Sequence, residues 1–163
     1  MPLYQVEYTS PLTRSEKNDL AASITRIHQS AYGAPSIFIG ITFKDISDVE
    51  YYAGSKLVSM NTILLYLWRR SSYNRIFAIV RTGGSRTVAD FNKLALALSE
   101  AWDDIVVKND VTIGRAERNL SGVFVLRSIE SLMEHGLLLP EVSRCLKIST
   151  TCGIPPSADV DIE

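Results

Sequence analysis

Alternating apolar and polar residues predict a β-strand over residues 3–8. A helix is predicted to follow, because Thr13 and Glu16 have the spacing of a capping box and apolar residues then recur every three or four positions. These apolar residues are Leu20, Ile24, Ile27 and Ala31. Gly33 is a candidate C-cap, and alternation over 36–43 predicts a second strand. A strand, a helix and a strand in this order indicate a βαβ unit with parallel strands.

The same order of elements recurs in the second half of the chain. The pattern predicts a strand over 75–81, a helix that begins after Thr87 with Asp90 as its capping partner, and a strand over 120–126. The apolar positions of this second helix are Val88, Phe91, Leu94, Ala95, Leu98 and Trp102. The sequence therefore predicts an α+β fold, in which two tandem βαβ units form a four-stranded mixed sheet with two helices on one face.

Three segments fit this pattern less well. The apolar run at 57–70 is an atypical insertion between the two units, and it is expected to form an edge strand or a hairpin arm. A short helix is predicted near 128–135, with Ser128 as N-cap and Gly136 as C-cap. The polar segment 141–163 is expected to be a loose tail, which leaves 1–140 as the folded domain.

Composition and charge narrow the classes of function. Hydrophobic residues make up 46% and charged residues 21% of the 163 residues, which suits one domain with a real core. The formal net charge is −1 with no basic run, so nucleic acid is not an expected partner. The longest apolar run, at 63–68, is too short to span a membrane, and no signal peptide is recognised. Only Cys145 and Cys152 are cysteines, which favours a reducing, cytoplasmic location.

The segment RTGGSRT at 81–87 is the first candidate for chemistry. It joins a predicted strand to a predicted helix, and a helix N-terminus beside Arg81 and Arg86 suits a small carboxylate or phosphate. It is not a P-loop, because the Gly-Lys-Ser/Thr ending is absent. Two surface arginines near a turn would give the same pattern.

Three other residues can be interpreted either as functional or as ordinary structural residues. Pro2 precedes the first strand, where proline is tolerated, and it can act as a base only if Met1 is removed. His28 lies at the edge of the first apolar stripe, where a histidine is usually packed or at the surface. Glu134 falls near the end of the predicted 128–135 helix, where the helix dipole disfavours a carboxylate. The histidines and cysteines lack metal-ligand spacing, so no metal site is predicted.

In combination these residues resemble the tautomerase superfamily, and more narrowly its cis-3-chloroacrylic acid dehalogenase-like group, whose chains are two fused βαβ units. The resemblance is carried by the initial Met-Pro, by ITRIH ending in His28, by RTGGSRTVADF, and by MEHGLLLP with Glu134. It covers residues 1–56 and 71–140. The insertion at 57–70 and the segment after Pro140 depart from it.

The resemblance implies a role for each candidate residue. As an N-terminal residue, Pro2 would be the catalytic amine. Glu134 would activate water, and His28 would help to hold substrate or water. Arg81 and Arg86 would bind the substrate carboxylate, and Arg86 is the safer match because the loop spacing differs. The resemblance also implies a homotrimer with neither a metal nor an organic cofactor.

The chemistry of these groups agrees with the implied roles. Burial and nearby arginines are expected to lower the pKa of a proline amine, and a base near neutrality can move a proton between the oxygen and carbon of an enol acid. A protonated amine, with Glu134 drawing a proton from water, would instead give hydration or hydrolytic dehalogenation. The stretch GVFVL at 122–126 lacks the tyrosine that the dehalogenase has in the corresponding strand, which favours tautomerisation.

Three functions remain open from the sequence. The first is a cofactor-free tautomerase acting on small 2-oxo or enol carboxylic acids, with minor hydratase or dehalogenase activity. The second is a binding or assembly protein that keeps the fold but has weak or no catalysis, because of the insertion and the missing tyrosine. The third is an anion-binding protein that uses only the arginine turn, and it would survive the loss of Pro2.

Overall fold

Four strands form the central sheet, in the order β2-β1-β5-β6. They are β1 (Leu3–Tyr8), β2 (Gly40–Asp45), β5 (Asn74–Arg81) and β6 (Leu120–Ser128), while β3 (Tyr51–Ala53) and β4 (Lys56–Val58) form a separate hairpin. The computed structural model describes residues 2–53, 55–58, 73–81, 86–108, 118–128, 133–134 and 137–138. β1 pairs in parallel with β2 and β5 with β6, whereas β1 and β5 are antiparallel. The prediction of two tandem βαβ units in one mixed sheet is confirmed.

Helices α1 (Arg14–Tyr32) and α2 (Val88–Trp102) each complete one unit, and both begin at a capping box. The Thr13 hydroxyl accepts from Glu16 N at 3.2 Å, and the Thr87 hydroxyl accepts from Asp90 N at 3.4 Å. α1 ends at Gly33, whose φ of 65° lies in the left-handed region that glycine favours. A five-residue π-helical turn, Asp103–Val107, continues α2.

The core lies between the two helices and one face of the sheet. Strand residues Tyr4, Val6, Ile76, Ala78 and Val80 are fully buried there. They meet the helix residues Leu20, Ile24, Leu94, Leu98 and Trp102, which are the apolar positions that the helical spacing predicts. The opposite face of the sheet is open and carries the other half of each alternating strand.

The predicted strand over 36–43 is wrong at its beginning. Ser36–Phe38 forms a 3₁₀ turn, in which Phe38 N donates to the Pro35 carbonyl at 3.1 Å. Proline has no N–H for a strand ladder and its fixed φ favours a turn at this point. The ladder begins only at Gly40, whose N–H donates to the Pro2 carbonyl at 3.0 Å.

The predicted helix near 128–135 is also wrong for the described residues. β6 continues through Ser128, which lies opposite Arg81 in the parallel ladder. A short strand, β7 (Met133–Glu134), pairs antiparallel with β8 (Leu137–Leu138), where the last turn of a helix was predicted. Residues 129–132 lie outside the described residues.

Of the two segments 57–70 and 141–163, the structure describes only residues 57–58. Residues 57–58 belong to β4 and therefore to a hairpin arm. Residues 59–72 and the predicted tail lie outside the described residues.

Buried polar residues pair with one another where β1 ends and β5 begins. Asn74 Nδ2 donates to the Asn119 carbonyl at 3.1 Å. Arg118 Nε donates to the Val106 carbonyl at 3.1 Å, and its Nη2 forms an ion pair with Glu16. Asn74, Arg118 and Glu16 define this region, which we call the closed end of the sheet.

Candidate active site

The topology brings the sequence-predicted residues to the other end of the sheet, which we call the site end. β1 begins and β5 ends there, because these strands are antiparallel with Leu3 opposite Ile79. α1 ends and α2 begins there too, since each helix returns along its unit between two parallel strands. The residues that meet at this end are Pro2, His28, Arg81 and Arg86.

His28 is buried and bonded to a tyrosine. Its side chain lies on the core side of α1 at 3% exposure, and its Nδ1 is 2.6 Å from the hydroxyl of fully buried Tyr4. The two rings meet edge to face, with centroids 5.7 Å apart. The bland interpretation of His28 as a packed core residue therefore describes its burial, but leaves out its strong polar contact.

Burial fixes the protonation of this pair. Burial, with a smaller contribution from the nearby Arg86 charge, lowers the pKa of His28 to about 4. Burial also raises the pKa of the Tyr4 hydroxyl, so the phenol keeps its proton. With the phenol protonated, the Tyr4 hydroxyl can donate to Nδ1, and in that tautomer the neutral imidazole carries its proton on Nε2. His28 therefore offers one hydrogen-bond donor and no charge.

Arg86 is held in place by two contacts. Its Nη1 donates to the Arg81 carbonyl at 2.8 Å, and its Cζ lies 4.1 Å from the centre of the Tyr32 ring. The Tyr32 ring also meets His28 edge to face, with centroids 4.9 Å apart. A guanidinium has five N–H donors, and a fixed orientation of this kind suits it to bind a carboxylate through two of them.

Arg81 takes a different position from Arg86. Buried residues Ile76, Ala78 and Val80 of β5 alternate with half-buried residues, and Arg81 falls in the half-buried set. Its side chain therefore leaves the sheet on the open face, while its carbonyl accepts from Arg86. The Arg86 guanidinium contacts the Tyr32 ring, which in turn contacts His28. Arg81 is linked to these residues through its backbone carbonyl, which accepts from Arg86.

Pro2 is buried at the site end, directly before β1. It lies two positions before Tyr4 and so has the strand parity of the core face. Continuing the β1–β5 register places it opposite Val80, next in the chain to Arg81. Its carbonyl accepts a hydrogen bond from Gly40 N, and this bond fixes the backbone at the start of β1.

Glu134 is described by its backbone alone. It lies in β7, opposite Leu137 of β8. β6 leads towards this hairpin from the site end, because its last residue, Ser128, pairs with Arg81.

The sequence interpretation missed two tyrosines of the site. Neither Tyr4 nor Tyr32 is singled out by the sequence patterns. A signal for Tyr4 did exist, because a buried phenol needs a hydrogen-bond partner and His28 lies on the core side of the helix that covers the same strand. Tyr32 lies one helical turn after His28, at the spacing of neighbours on one helix face.

A groove of about 700 Å³ runs between α1 and α2. Tyr32 is the one residue of the His28 cluster that lines it, together with Ser23, Arg26, Ile27, Ser30, Ala31, Asp90, Lys93, Leu94 and Ala97. The sequence-predicted site residues do not line this groove.

Metal binding and membrane insertion are two other classes of function. In the described ranges, no group of three or more His, Cys, Asp or Glu side chains is placed to hold a metal ion. None of the helices in those ranges combines the length and the apolar character that crossing a membrane requires.

Two tandem βαβ units that form one four-stranded mixed sheet with two helices are a tautomerase-like fold. The chain belongs to the Tautomerase_3 family, described as "Putative oxalocrotonate tautomerase enzyme", whose model matches residues 1–145. The resemblance to the tautomerase superfamily is thereby confirmed. No curated protein matches the chain.

Solved structures of the superfamily share the fold. A member of the cis-3-chloroacrylic acid dehalogenase family, N1, has a TM-score of 0.57 at 14% identity and covers 91% of each chain. A fused 4-OT, described as a wild-type asymmetric trimer, has a TM-score of 0.55 at 16% identity over 88% of this chain and 98% of its own. The malonate semialdehyde decarboxylase FG41, inhibited by 3-bromopropiolate, has a TM-score of 0.53 at 16% identity over 94% and 99%.

Proposed function

We propose that the chain is a cofactor-free tautomerase that uses Pro2, freed by removal of Met1, as general base and acid on small 2-oxo or enol carboxylic acids. Family membership supports tautomerase-like catalysis in general. The observation that carries the proposal for this chain is the cluster of neutral His28 and oriented Arg86 at the end of the sheet where Pro2 lies.

In the proposed reaction Arg86 binds the substrate carboxylate and leaves the enol end towards Pro2. The proline nitrogen takes the proton from the enol hydroxyl as the carbonyl forms, and the resulting ammonium returns a proton to the neighbouring carbon. The Nε2–H of His28 holds the substrate or a water by a hydrogen bond. A neutral histidine suits this role, since it adds no second positive charge beside an amine that must lose its own.

Hydration or dehalogenation of cis-3-haloacrylates is proposed only as a minor activity, with Glu134 activating the water. β6, which carries the GVFVL stretch, supplies no phenol to assist it. In β6, Val123 packs towards the core, and Phe124 lies on the open face against Phe77 at 5.1 Å between ring centroids.

We also propose that the protein forms a homotrimer in the cytoplasm, with the domain at 1–140. The open face of the sheet supports assembly, because Leu3, Phe124 and Leu126 are 38%, 46% and 45% exposed on it. Exposed apolar area of this kind is typical of a surface that another chain covers. Related fused 4-OT structures are described as trimers. The molar mass in solution, measured by light scattering, tests the assembly.

The alternative is a tautomerase-fold protein that binds or assembles and has little catalysis. The insertion at 57–70 and the absence of a phenol on β6 favour it. The N-terminus separates the two, because an enzyme needs Met1 removed and Pro2 unacylated. An intact mass that retains Met1 would exclude the first function.

The decisive experiment measures tautomerase activity on phenylpyruvate and 2-hydroxymuconate after Met1 removal has been verified by mass. Replacing the secondary amine in Pro2→Ala is expected to lower kcat/KM by about 100-fold or more. Unfolding midpoints of both proteins serve as the control for folding. Equal activity in both, or none in either, would return Pro2 to a structural role at the start of β1.

A further inference from the structure

The Tyr32 hydroxyl is the one polar group of the site cluster whose position is unexplained by the fold. Its oxygen is buried, and within the part of the chain that the structure describes it has no hydrogen-bond partner. A buried hydroxyl left unpaired destabilises the folded protein. Such a group calls for an explanation, and a ligand that accepts its hydrogen bond would supply one.

The surroundings of Tyr32 belong to the site end. One side of its ring carries the Arg86 guanidinium at 4.1 Å, and an edge of the ring meets His28 at 4.9 Å between centroids. The hydroxyl of Tyr4 is already committed to His28 at 2.6 Å, so it does not serve Tyr32. Although the Tyr32 ring lines the groove between the helices, its oxygen is not exposed there.

The hydroxyl is a donor at neutral pH. Burial raises the pKa of Tyr32, with Arg86 opposing and Asp90 adding to this effect. The Tyr32 phenol is a neutral hydrogen-bond donor, and the Arg86 guanidinium beside it is a charged group that can donate two hydrogen bonds to one carboxylate. This pair matches a 2-oxo acid, which has a carboxylate and an adjacent carbonyl or enol oxygen.

We propose that the Tyr32 hydroxyl is a substrate-binding group, which donates a hydrogen bond to the 2-oxo or enol oxygen of an acid whose carboxylate is bound by Arg86. This inference rests on the proposed function, and it assigns specificity for 2-oxo acids over simple carboxylates. The ring and the hydroxyl then have separate tasks. The ring orients Arg86, and the hydroxyl distinguishes the ligand.

The test compares equilibrium binding of two ligands by calorimetry. Phenylpyruvate has the 2-oxo oxygen, whereas 3-phenylpropanoate has the same phenyl and carboxylate groups without it. The Tyr32→Phe variant keeps the ring and removes the hydroxyl, and we expect its affinity for phenylpyruvate to fall about tenfold while that for 3-phenylpropanoate stays unchanged. The Tyr32→Leu variant loses the ring as well and is expected to bind both ligands more weakly.

A second readout uses the unliganded protein. Removing an unpaired buried hydroxyl should leave the unfolding midpoint of Tyr32→Phe equal to or above that of the wild type. A clear fall in this midpoint would overturn the proposal, because it would reveal a protein partner for the hydroxyl. An equal change, or no change, in the affinities for the two ligands would overturn it as well.

Binding also separates this inference from the proposed function. If the wild type binds phenylpyruvate as described but does not tautomerise it, the role of Pro2 fails and that of Tyr32 stands. If the wild type turns phenylpyruvate over and Tyr32→Phe does so with an unchanged KM, the role of Tyr32 fails and that of Pro2 stands. If the wild type binds neither ligand, both are overturned.

Discussion

The two ends of the central sheet hold polar side chains in opposite ways. At the closed end, Asn74 is fully buried, accepts from Thr9 N at 3.0 Å and donates to Asn119. At the site end, Tyr32 has a buried hydroxyl without a partner in the described residues. Networks whose donors and acceptors are paired fix a fold, whereas unpaired groups remain available to a ligand. The contrast holds for these two residues and not for every atom, because Arg75 Nε, at the start of β5, is also buried without a partner in the described residues. Asn74 therefore stabilises the closed end, whereas the Tyr32 hydroxyl is the group that we propose for ligand binding.

Charge shows the same contrast. Arg118 at the closed end faces a carboxylate, Glu16, and two backbone carbonyls. Arg86 at the site end faces an aromatic ring and one carbonyl, and its charge helps to lower the pKa of His28. A buried cation that is paired with an anion has little charge available to bind a substrate. A cation held by neutral groups keeps its charge available for one.

The largest effect on stability is expected from breaking the closed end. Arg118→Met keeps the aliphatic length but removes the ion pair and two hydrogen bonds, leaving Glu16 at 13% exposure without its partner. We expect the free energy of unfolding to fall by about 3–5 kcal/mol, measured by urea titration at one protein concentration.

The control for this prediction is an exposed ion pair. Lys108 and Asp104 form one at 67% and 62% exposure, and Lys108→Ala should leave stability almost unchanged. The folded fraction of Arg118→Met should keep its activity. An unfolding free energy close to that of the wild type would show that Arg118 does not stabilise the closed end.

Lowering the pH is expected to have a smaller effect on the free energy of unfolding, through His28 at the site end. In the unfolded chain His28 titrates near its ordinary pKa, 6.5, but in the folded protein the pKa is about 4. Between these values the unfolded state binds more protons, so stability falls as the pH drops from 7 to 5, by about 2 kcal/mol for this group.

The measurement is the difference in unfolding free energy between pH 7 and pH 5, compared for the wild type and His28→Gln. Other titrating groups, including His135, are present in both proteins and cancel in this comparison. The variant should lack the part of the pH dependence that is due to His28. An identical pH dependence in both proteins would show that His28 is not held neutral.

The starts of the helices could be predicted from sequence because their signals are local. Thr13 with Glu16 and Thr87 with Asp90 lie three residues apart, and each forms the capping box that this spacing predicts. The alternation of β1 likewise identifies its buried face at Tyr4 and Val6.

The remaining features depend on contacts between distant residues. The local helix signals near 128–135 do not show that Ser128 pairs with Arg81 or that Met133–Glu134 forms a strand. The bond between Tyr4 and His28 joins residues 24 positions apart, and nothing in the spacing of either residue predicts it. Alternation alone gives the face of Arg81, but only the packed structure shows Arg86 lying over Tyr32. Local patterns thus predicted the two βαβ units, while the hydrogen bonds of the candidate site required the fold.

The smallest predicted effect compares the two capping boxes, one at each end. Thr13→Ala and Thr87→Ala each remove a side-chain acceptor from a helix N-terminus, and each is expected to cost about 1 kcal/mol of unfolding free energy. The two should differ in activity, because Thr87 follows Arg86 directly and holds the start of α2 where that guanidinium is oriented. We expect Thr87→Ala to raise KM for phenylpyruvate and Thr13→Ala to leave it unchanged. Equal KM values in the two variants would show that Arg86 is oriented by Tyr32 and the Arg81 carbonyl alone, without help from the helix start.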